Sequence, residues 1–206
     1  NQDLSNWNVS NAVIFAGMFS DAIAFNQDIS NWNTANARGM EYMFDGATSF
    51  NQDISTWDVG LVPSMQNMFA STTAFNQNIL NWDVSSVSDM SGMFRYVKAF
   101  DQPIGSWDVS SVTDMSSMYE RATAFSQNLG NWNIAQVTIM QNMFNDVGIS
   151  QENYDETLIG WANLPSLQEN VQFNAGSGKF CAGESARLKL IDNYGWEIID
   201  GGKVDC

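Results

Sequence analysis

The sequence predicts an α/β fold, a right-handed solenoid of about six 25-residue strand-and-helix coils with a small α/β C-terminal cap. Three observations carry that expectation. Trp7, Trp32, Trp57, Trp82, Trp107 and Trp132 recur at intervals of 25 residues. Inside each interval an apolar alternation of period two is followed by apolar residues three and four apart. Position 157 of the same register is Thr, and from residue 150 the chain changes pattern and carries both of its cysteines. A repeat of this length buries its apolar face only by stacking on its neighbours, so the period itself specifies a stacked architecture.

Within residues 50–73, Trp57 and Val59 alternate with Thr56 and Asp58, which predicts a short strand presenting Trp and Val to the core. Val62, Met65, Met68, Phe69 and Thr72 follow at i, i+3, i+6, i+7 and i+10, the stripe of an amphipathic helix of about three turns. Ile54, Trp57 and Val59 have the L-x-x-L-x-L spacing of leucine-rich repeats, so the expected coil is leucine-rich-repeat-like, with parallel strands about 4.8 Å apart. The Trp row reads as core, since Trp57, Trp82, Trp107 and Trp132 share a face with Val59, Val84, Val109 and Ile134 two positions on. The Met row (Met18, Met43, Met68, Met93, Met118, Met143) and the aromatic that follows each member read as core too, with Met filling irregular gaps. Gln2, Gln27, Gln52, Gln77, Gln102 and Gln127 form a further row. A primary amide carries two donors and an acceptor, so these side chains read as structural, satisfying loop backbone groups from one coil to the next.

Residues 1–149 are the expected repeat domain and residues 150–206 the cap. Ser150 is placed to cap a helix in which Tyr154, Leu158 and Trp161 share a face and which Pro165 ends. Val171 and Phe173 alternate as in a strand, residues 183–194 read as a second helix stopped by Gly195, and residues 196–200 as a last short strand. Such a cap would cover the open edge of the final coil.

Composition excludes whole classes of function. Eight Lys and Arg against 23 Asp and Glu give a net charge of −15, which repels phosphate backbones and anionic membranes, so no nucleic-acid partner is expected. The longest apolar run, residues 12–19, is far short of the ~20 residues a membrane helix requires, so no membrane insertion is expected either. With 44% hydrophobic and 15% charged residues the chain has too much to bury for a disordered acidic tail. It contains no His, which removes Ser-His-Asp and Cys-His sites and an imidazole base. Its carboxylates recur as equivalent repeat positions, singling out no acid–base pair, and no glycine-rich phosphate loop is present. The expectation is a protein that is not an enzyme and needs no cofactor.

The candidate binding residues lie on the face opposite the Trp side chains: Asn8, Asn33, Asp58, Asp83, Asp108 and Asn133. The row before them is Asn6, Asn31, Thr56, Asn81, Ser106 and Asn131, also small and polar. In leucine-rich-repeat geometry this face lines the concave side, where extended binding surfaces form. Asp58, Asp83 and Asp108 would stand about 4.8 Å apart, like charges that water, a cation or a basic partner must offset. Three alternatives stand for the row: a solvated face, a contact surface for a protein or glycan, and a hard-cation site for which calcium is the ion such oxygens suit. No EF-hand spacing supports the last.

The pattern F-N-Q-D-I-S-x-W-D-V followed by V-x-x-M-x-x-M-F, seen in residues 50–59 and 62–69, resembles the BspA-type leucine-rich-repeat surface proteins of Bacteroidota and mycoplasmas. The segment with Asn153-Tyr154-Asp155, Leu158-Ile159-Gly160-Trp161, Cys181-Ala182-Gly183-Glu184 and Tyr194-Gly195-Trp196 is similar to the end cap that follows such repeats in secreted flavobacterial proteins. The resemblance implies an extracellular recognition or adhesion module, secreted or on a bacterial cell surface, that binds protein or glycan through an extended repeat face. A passive structural spacer or stalk in a larger surface protein is the alternative. Against that background Cys181 and Cys206 read as one disulfide closing the cap, contributing about 3 kcal/mol, with two free buried thiols as the alternative. Asn1 falls on the register position of Asn26, as expected of a chain that begins inside a repeat and is part of a longer protein.

Overall fold

The 25-residue period governs the backbone, but neither of the expected elements forms inside it. In the computed structural model, which describes residues 1–206, all four regular elements lie towards the C-terminus. They are α1 (Gln151–Ala162), β1 (Gln172–Asn174), α2 (Glu184–Tyr194) and β2 (Glu197–Ile199). Residues 1–149 are turns and isolated bridges. The expected right-handed, leucine-rich-repeat-like solenoid of strand-helix coils is therefore overturned: the repeats hold no helix and no strand, and the only sheet is the two-stranded parallel pair β1–β2.

Residues 62–72, expected to be helical, show why. Met68 donates its N–H to Met65 O, Ala70 to Asn67 O and Thr72 to Phe69 O, at 3.1, 3.1 and 2.9 Å. The intervening amides leave the segment altogether: Met65, Asn67, Phe69 and Ser71 donate to Asp89, Ser91, Met93 and Arg95 at 2.9, 2.9, 3.0 and 2.7 Å. An α-helix would instead need each amide to bond the carbonyl four residues back. Asn67 (φ 51°) and Ser71 (φ 59°) are left-handed, each at the third position of a four-residue turn, the sign pattern of a type II turn. The same pair of left-handed positions recurs at Gly17 and Asp21, Tyr42 and Gly46, Gly92 and Tyr96, Ser117 and Arg121, and Asn142 and Asp146. Successive turns bring residues three and four apart to one side, so Val62, Met65, Met68 and Thr72 are all buried. A run of turns thus imitates the inward period of a helix.

The strand fails for a different reason. Trp57 and Val59 do point inward, with Thr56 and Asp58 exposed. Turns closed by Trp57 N–H on Ile54 O (3.1 Å) and Val62 N–H on Val59 O (3.0 Å) leave too little extended backbone between them to pair. Contact with the preceding repeat is made here by side chains, as Trp57 Nε1 donates to Ile29 O at 3.2 Å and Thr56 Oγ1 to Ser30 O at 3.0 Å. Parallel pairing falls instead at Ser64 with Asp89, Asp89 with Asp114 and Asp114 with Ile139, at the edge of the segment expected to be helical.

One core of 58 buried residues runs through the repeats into the C-terminal segment. Its axis is aromatic: Phe19, Phe44, Phe69, Phe94, Tyr119 and Phe144 follow one another with ring centroids 5.6 to 5.8 Å apart. Each of Trp32, Trp57, Trp82, Trp107 and Trp132 donates its indole N–H to a carbonyl 28 residues earlier, at 3.1 to 3.2 Å. Tyr119 is the one member of its row with a hydroxyl, and that oxygen is buried without a partner. A buried orphan of this kind costs about 1–3 kcal/mol. Tyr119→Phe is therefore expected to raise the melting temperature by a few degrees, about 2–4 °C per kcal/mol for a chain of this size. An unchanged or lower midpoint in thermal unfolding would show that the hydroxyl is satisfied.

The C-terminal segment continues the bonding of a repeat with other elements. Ser150 caps α1, its side chain accepting from Asn153 N–H. From α1, Trp161 Nε1 donates to Leu129 O at 2.9 Å, the bond that the next Trp of the register would have made. Thr157, standing at that register position, accepts the Leu129 N–H at 3.0 Å, and Asn153 Nδ2 donates to Ser126 O at 2.6 Å. Phe144 N–H donates to Asn174 O in β1 at 2.9 Å. The buried Asp155 carboxylate accepts from the N–H groups of Cys181, Ala182 and Gly183, joining α1 to the start of α2. Gly195, at φ 68°, ends α2. Cys181 and Cys206 are joined in a disulfide with Cα atoms 5.4 Å apart.

Candidate functional site

Turn chemistry builds the candidate row. Asn8, Asn33, Asp58, Asp83, Asp108 and Asn133 are all exposed. Each Oδ1 accepts the backbone N–H two residues on, from Ser10, Ala35, Gly60, Ser85, Ser110 and Ala135, at 3.0 to 3.2 Å. These are Asx turns, which explain why only Asp or Asn occupies the position. No sheet lies beneath the row, so the expected concave strand face is replaced by a line of turn corners. The structure brings the acidic members close: a Cβ on Gly60 would stand 3.4 Å from a carboxylate oxygen of both Asp58 and Asp83.

A second row of the same kind escaped the sequence reading. Asp3, Asp28, Asp53, Asn78 and Asn128 accept from Ser5, Ser30, Ser55, Leu80 and Gly130 at 2.7 to 2.9 Å. Its signal was present as Asx two residues before Ser, Leu or Gly at fixed register. The row Asn6, Asn31, Thr56, Asn81, Ser106 and Asn131 is exposed as well.

From Gln27 to Gln127 the Gln row sits half-buried between repeats. Gln52 Nε2 donates to Asn26 O (3.2 Å) and Oδ1 (2.9 Å), and the same Oδ1 takes the Asn51 N–H at 2.9 Å. The arrangement repeats for Gln77 on Asn51, Gln102 on Asn76 and Gln127 on Asp101. Half of this lattice, the Asx residue one before each of the first five Gln, was not singled out from sequence.

Hydrogen bonding lowers the pKa of Asp83 and Asp108 in the row. The Ser85 hydroxyl, then its amide, holds Asp83 below the usual carboxylate range. Ser110 does the same for Asp108 against the repulsion of Asp83. In the second row Asp3 and Asp53 are lowered by the amides, then the hydroxyls, of Ser5 and Ser55, and Asp28 by the hydroxyl, then the amide, of Ser30. A group whose folded pKa lies below its unfolded value adds stability that is complete above the unfolded value and lost as pH falls through the folded one. Asp45 runs the other way, raised chiefly by burial, so it regains a little stability on acidification. Five lowered groups against one raised group predict a denaturant midpoint that falls as pH drops below about 4. The triple variant Asp53→Asn, Asp83→Asn, Asp108→Asn keeps every turn acceptor and should flatten that limb. An acid limb identical in both proteins would refute the assignment.

No group of three or more Cys, Asp or Glu side chains is arranged to hold a metal ion, and no helix is long and apolar enough to cross a membrane. What the geometry defines is a stacked-repeat protein of 25-residue period whose exposed polar rows are turn corners. A family model described as "Mycoplasma protein of unknown function, DUF285" matches residues 1–73 and 52–157, and the chain belongs to that family. Membership is compatible with a non-catalytic surface module and names no ligand. No curated protein and no solved structure matches the chain.

Proposed function

We propose that this chain is a non-catalytic recognition module, secreted or carried on a bacterial cell surface as part of a longer protein, that binds an extracellular protein or glycan. The observation that carries this reading is the exposed row Asn8, Asn33, Asp58, Asp83, Asp108 and Asn133 at a fixed register. The turn uses Oδ1 of each, which leaves Oδ2 of the three Asp and Nδ2 of the three Asn outside the turn bond and free for a partner. Weak contacts repeated along one row add through effective concentration. The Cys181–Cys206 disulfide supports an oxidising, extracellular setting, and the resemblance to BspA-type surface proteins points the same way. The absence of any His supports a non-catalytic role.

One observation favours a spacer instead: the Asx identity of the row is fully accounted for by turn formation, with no ligand required. Solid-phase binding to a panel of extracellular-matrix proteins and glycans, with calcium and with chelator, separates the two. The expected result is binding that weakens in Asp58→Asn, Asp83→Asn, Asp108→Asn, a variant that keeps every turn acceptor and whose fold at neutral pH is checked by circular dichroism. Silence across the panel counts for the spacer, and a chelator-sensitive signal makes calcium a requirement of binding.

A further inference from the structure

The row of side chains at the first left-handed turn position runs Gly17, Tyr42, Asn67, Gly92, Ser117 and Asn142. At Gly92 the missing side chain opens a notch of about 230 Å³, walled by Gln66, Ser91, Arg95, Ser116 and Ser117 with no apolar residue. A Cβ on Gly92 would run into the Asn67 side-chain amide, so the glycine is what keeps the notch clear.

Arg95 is the unexplained group in this wall. Its Nε is buried and has no hydrogen-bond partner, and no carboxylate makes an ion pair with it, although its charge is felt by the part-buried Asp45. Its guanidinium lies 5.6 Å from the centroid of the Tyr96 ring. Arg121, whose guanidinium lies 5.3 Å from the same centroid, is already engaged by Asp146 at 3.1 Å. A guanidinium with no carboxylate partner is costly in a part-buried wall, and a carboxylate is the acceptor whose geometry matches its fork. The rest of the wall is a set of oriented hydroxyls and amides. Gln66 accepts from Tyr42 Oη at 2.8 Å and donates to Ser91 Oγ at 3.2 Å, which fixes the amide and leaves the Ser91 hydroxyl proton to be donated elsewhere. Gly92 N–H is taken by Ser116 O, so the notch offers side chains to a ligand and not backbone.

Charge and lining select the ligand. A protein of net charge −15 repels a polyanion, which leaves a single negative group as the partner for one guanidinium. The absence of apolar lining argues against a peptide side chain, and the hydroxyl and amide groups match a sugar ring. We propose that the notch at Gly92 binds an acidic sugar residue, a uronic or sialic acid of a glycan, with its carboxylate on Arg95 and its hydroxyls on Gln66, Ser91, Ser116 and Ser117. This rests on the reading of the chain as a recognition module, and it assigns that module a ligand chemistry away from the Asx row.

The test is titration of the isotope-labelled full chain with glucuronic acid, N-acetylneuraminic acid, glucose and sodium acetate, each followed by amide chemical shifts. An acidic sugar is expected to shift amides of residues 91–96 and 116–117, glucose to leave them unmoved, and acetate to bind more weakly than the sugar. Arg95→Gln and Gly92→Asn should each weaken sugar binding about tenfold or more. Asn67 and Asn142 show that Asn suits the turn conformation of Gly92, at φ 51° and 58°, so Gly92→Asn needs only the end of the Asn67 side chain to swing aside before its own side chain fills the notch. No shift with either acidic sugar, equal binding by both variants, or acetate binding as well as the sugar would each overturn the proposal. If the matrix and glycan panel still responds through Asp58, Asp83 and Asp108, only the notch assignment falls. Silence in both experiments removes the recognition reading with it.

Discussion

Trp82→Ala should lower the unfolding free energy by about 3–5 kcal/mol, the range for deleting a buried Trp. Trp82 is 4% exposed and donates to Ile54 O at 3.1 Å, and the same carbonyl would lose its donor on substitution. Its ring lies 6.2 Å from that of Phe69 in the aromatic axis, so the cavity would open on the centre of the stack. Domain stabilities are about 5–15 kcal/mol, so one such cavity removes a large share of the whole. Trp7 is the internal control. It is 56% exposed and stacks on Trp32 through one face only, so Trp7→Ala should cost far less. Denaturant unfolding of the two variants, followed by circular dichroism, decides the matter. Similar midpoints for Trp7→Ala and Trp82→Ala would mean that the Trp row does not form one buried ladder.

That contrast marks where sequence reasoning succeeded. Parity placed Trp57 and Val59 inward and Asp58 outward, and burial agrees, because inward and outward alternation is a property of extended backbone whether or not it pairs. The same reasoning failed on the backbone. Val62, Met65, Met68 and Thr72 have the spacing of a helix face, yet half the amides around them bond to the next repeat. Side-chain spacing reports which residues face the core and is silent on where the amides go. The discriminating signal was at the left-handed positions, where Gly17, Gly46 and Gly92 alternate in register with Asn67, Asn142, Asp21 and Asp146. Gly, Asn and Asp at positions four apart are poor helix residues and good turn residues. Tyr42, Tyr96 and Arg121 at the same positions obscured that signal.

The candidate site was legible as a row and not as a mechanism. Exposure of Asn8, Asn33, Asp58, Asp83, Asp108 and Asn133 followed from the Trp register. Their turn bonds did not, since an Asx residue two before a Ser is too common a pair to single out alone. The notch at Gly92 was invisible from sequence for another reason. It is made by residues from three successive repeats, and only the stacked backbone sets Gln66, Ser91 and Ser116 side by side around Arg95.

Gly160→Ala sets local propensity against packing, and packing is expected to win. In an isolated helix the change would stabilise by about 1 kcal/mol, because Ala is the better helix former. In this fold a Cβ on Gly160 would overlap the backbone of Gly130, with the Gly130 carbonyl oxygen, Cα and carbonyl carbon all inside any permitted contact. The approach is mutual, since a Cβ on Gly130 would stand 2.5 Å from Glu156 O. Backbone on both sides leaves no side chain that can swing away, so α1 must lift off the last repeat. Lifting it breaks Trp161 Nε1 to Leu129 O, Leu129 N–H to Thr157 Oγ1 and Asn153 Nδ2 to Ser126 O together. Overpacking alone costs about 1–3 kcal/mol, and the lost bonds add about 1 kcal/mol each, so a net loss of about 3 kcal/mol or more is expected. Hydrogen exchange gives the more specific readout: the Leu129 amide, protected by Thr157, should exchange much faster in the variant, while amides near Phe44 and Phe69 keep their protection. Ile159→Ala, at a 38% exposed position on the same helix, should leave both measurements nearly unchanged. A Gly160→Ala protein that is more stable than its parent would show that α1 does not rest on Gly130 and that the C-terminal segment docks elsewhere.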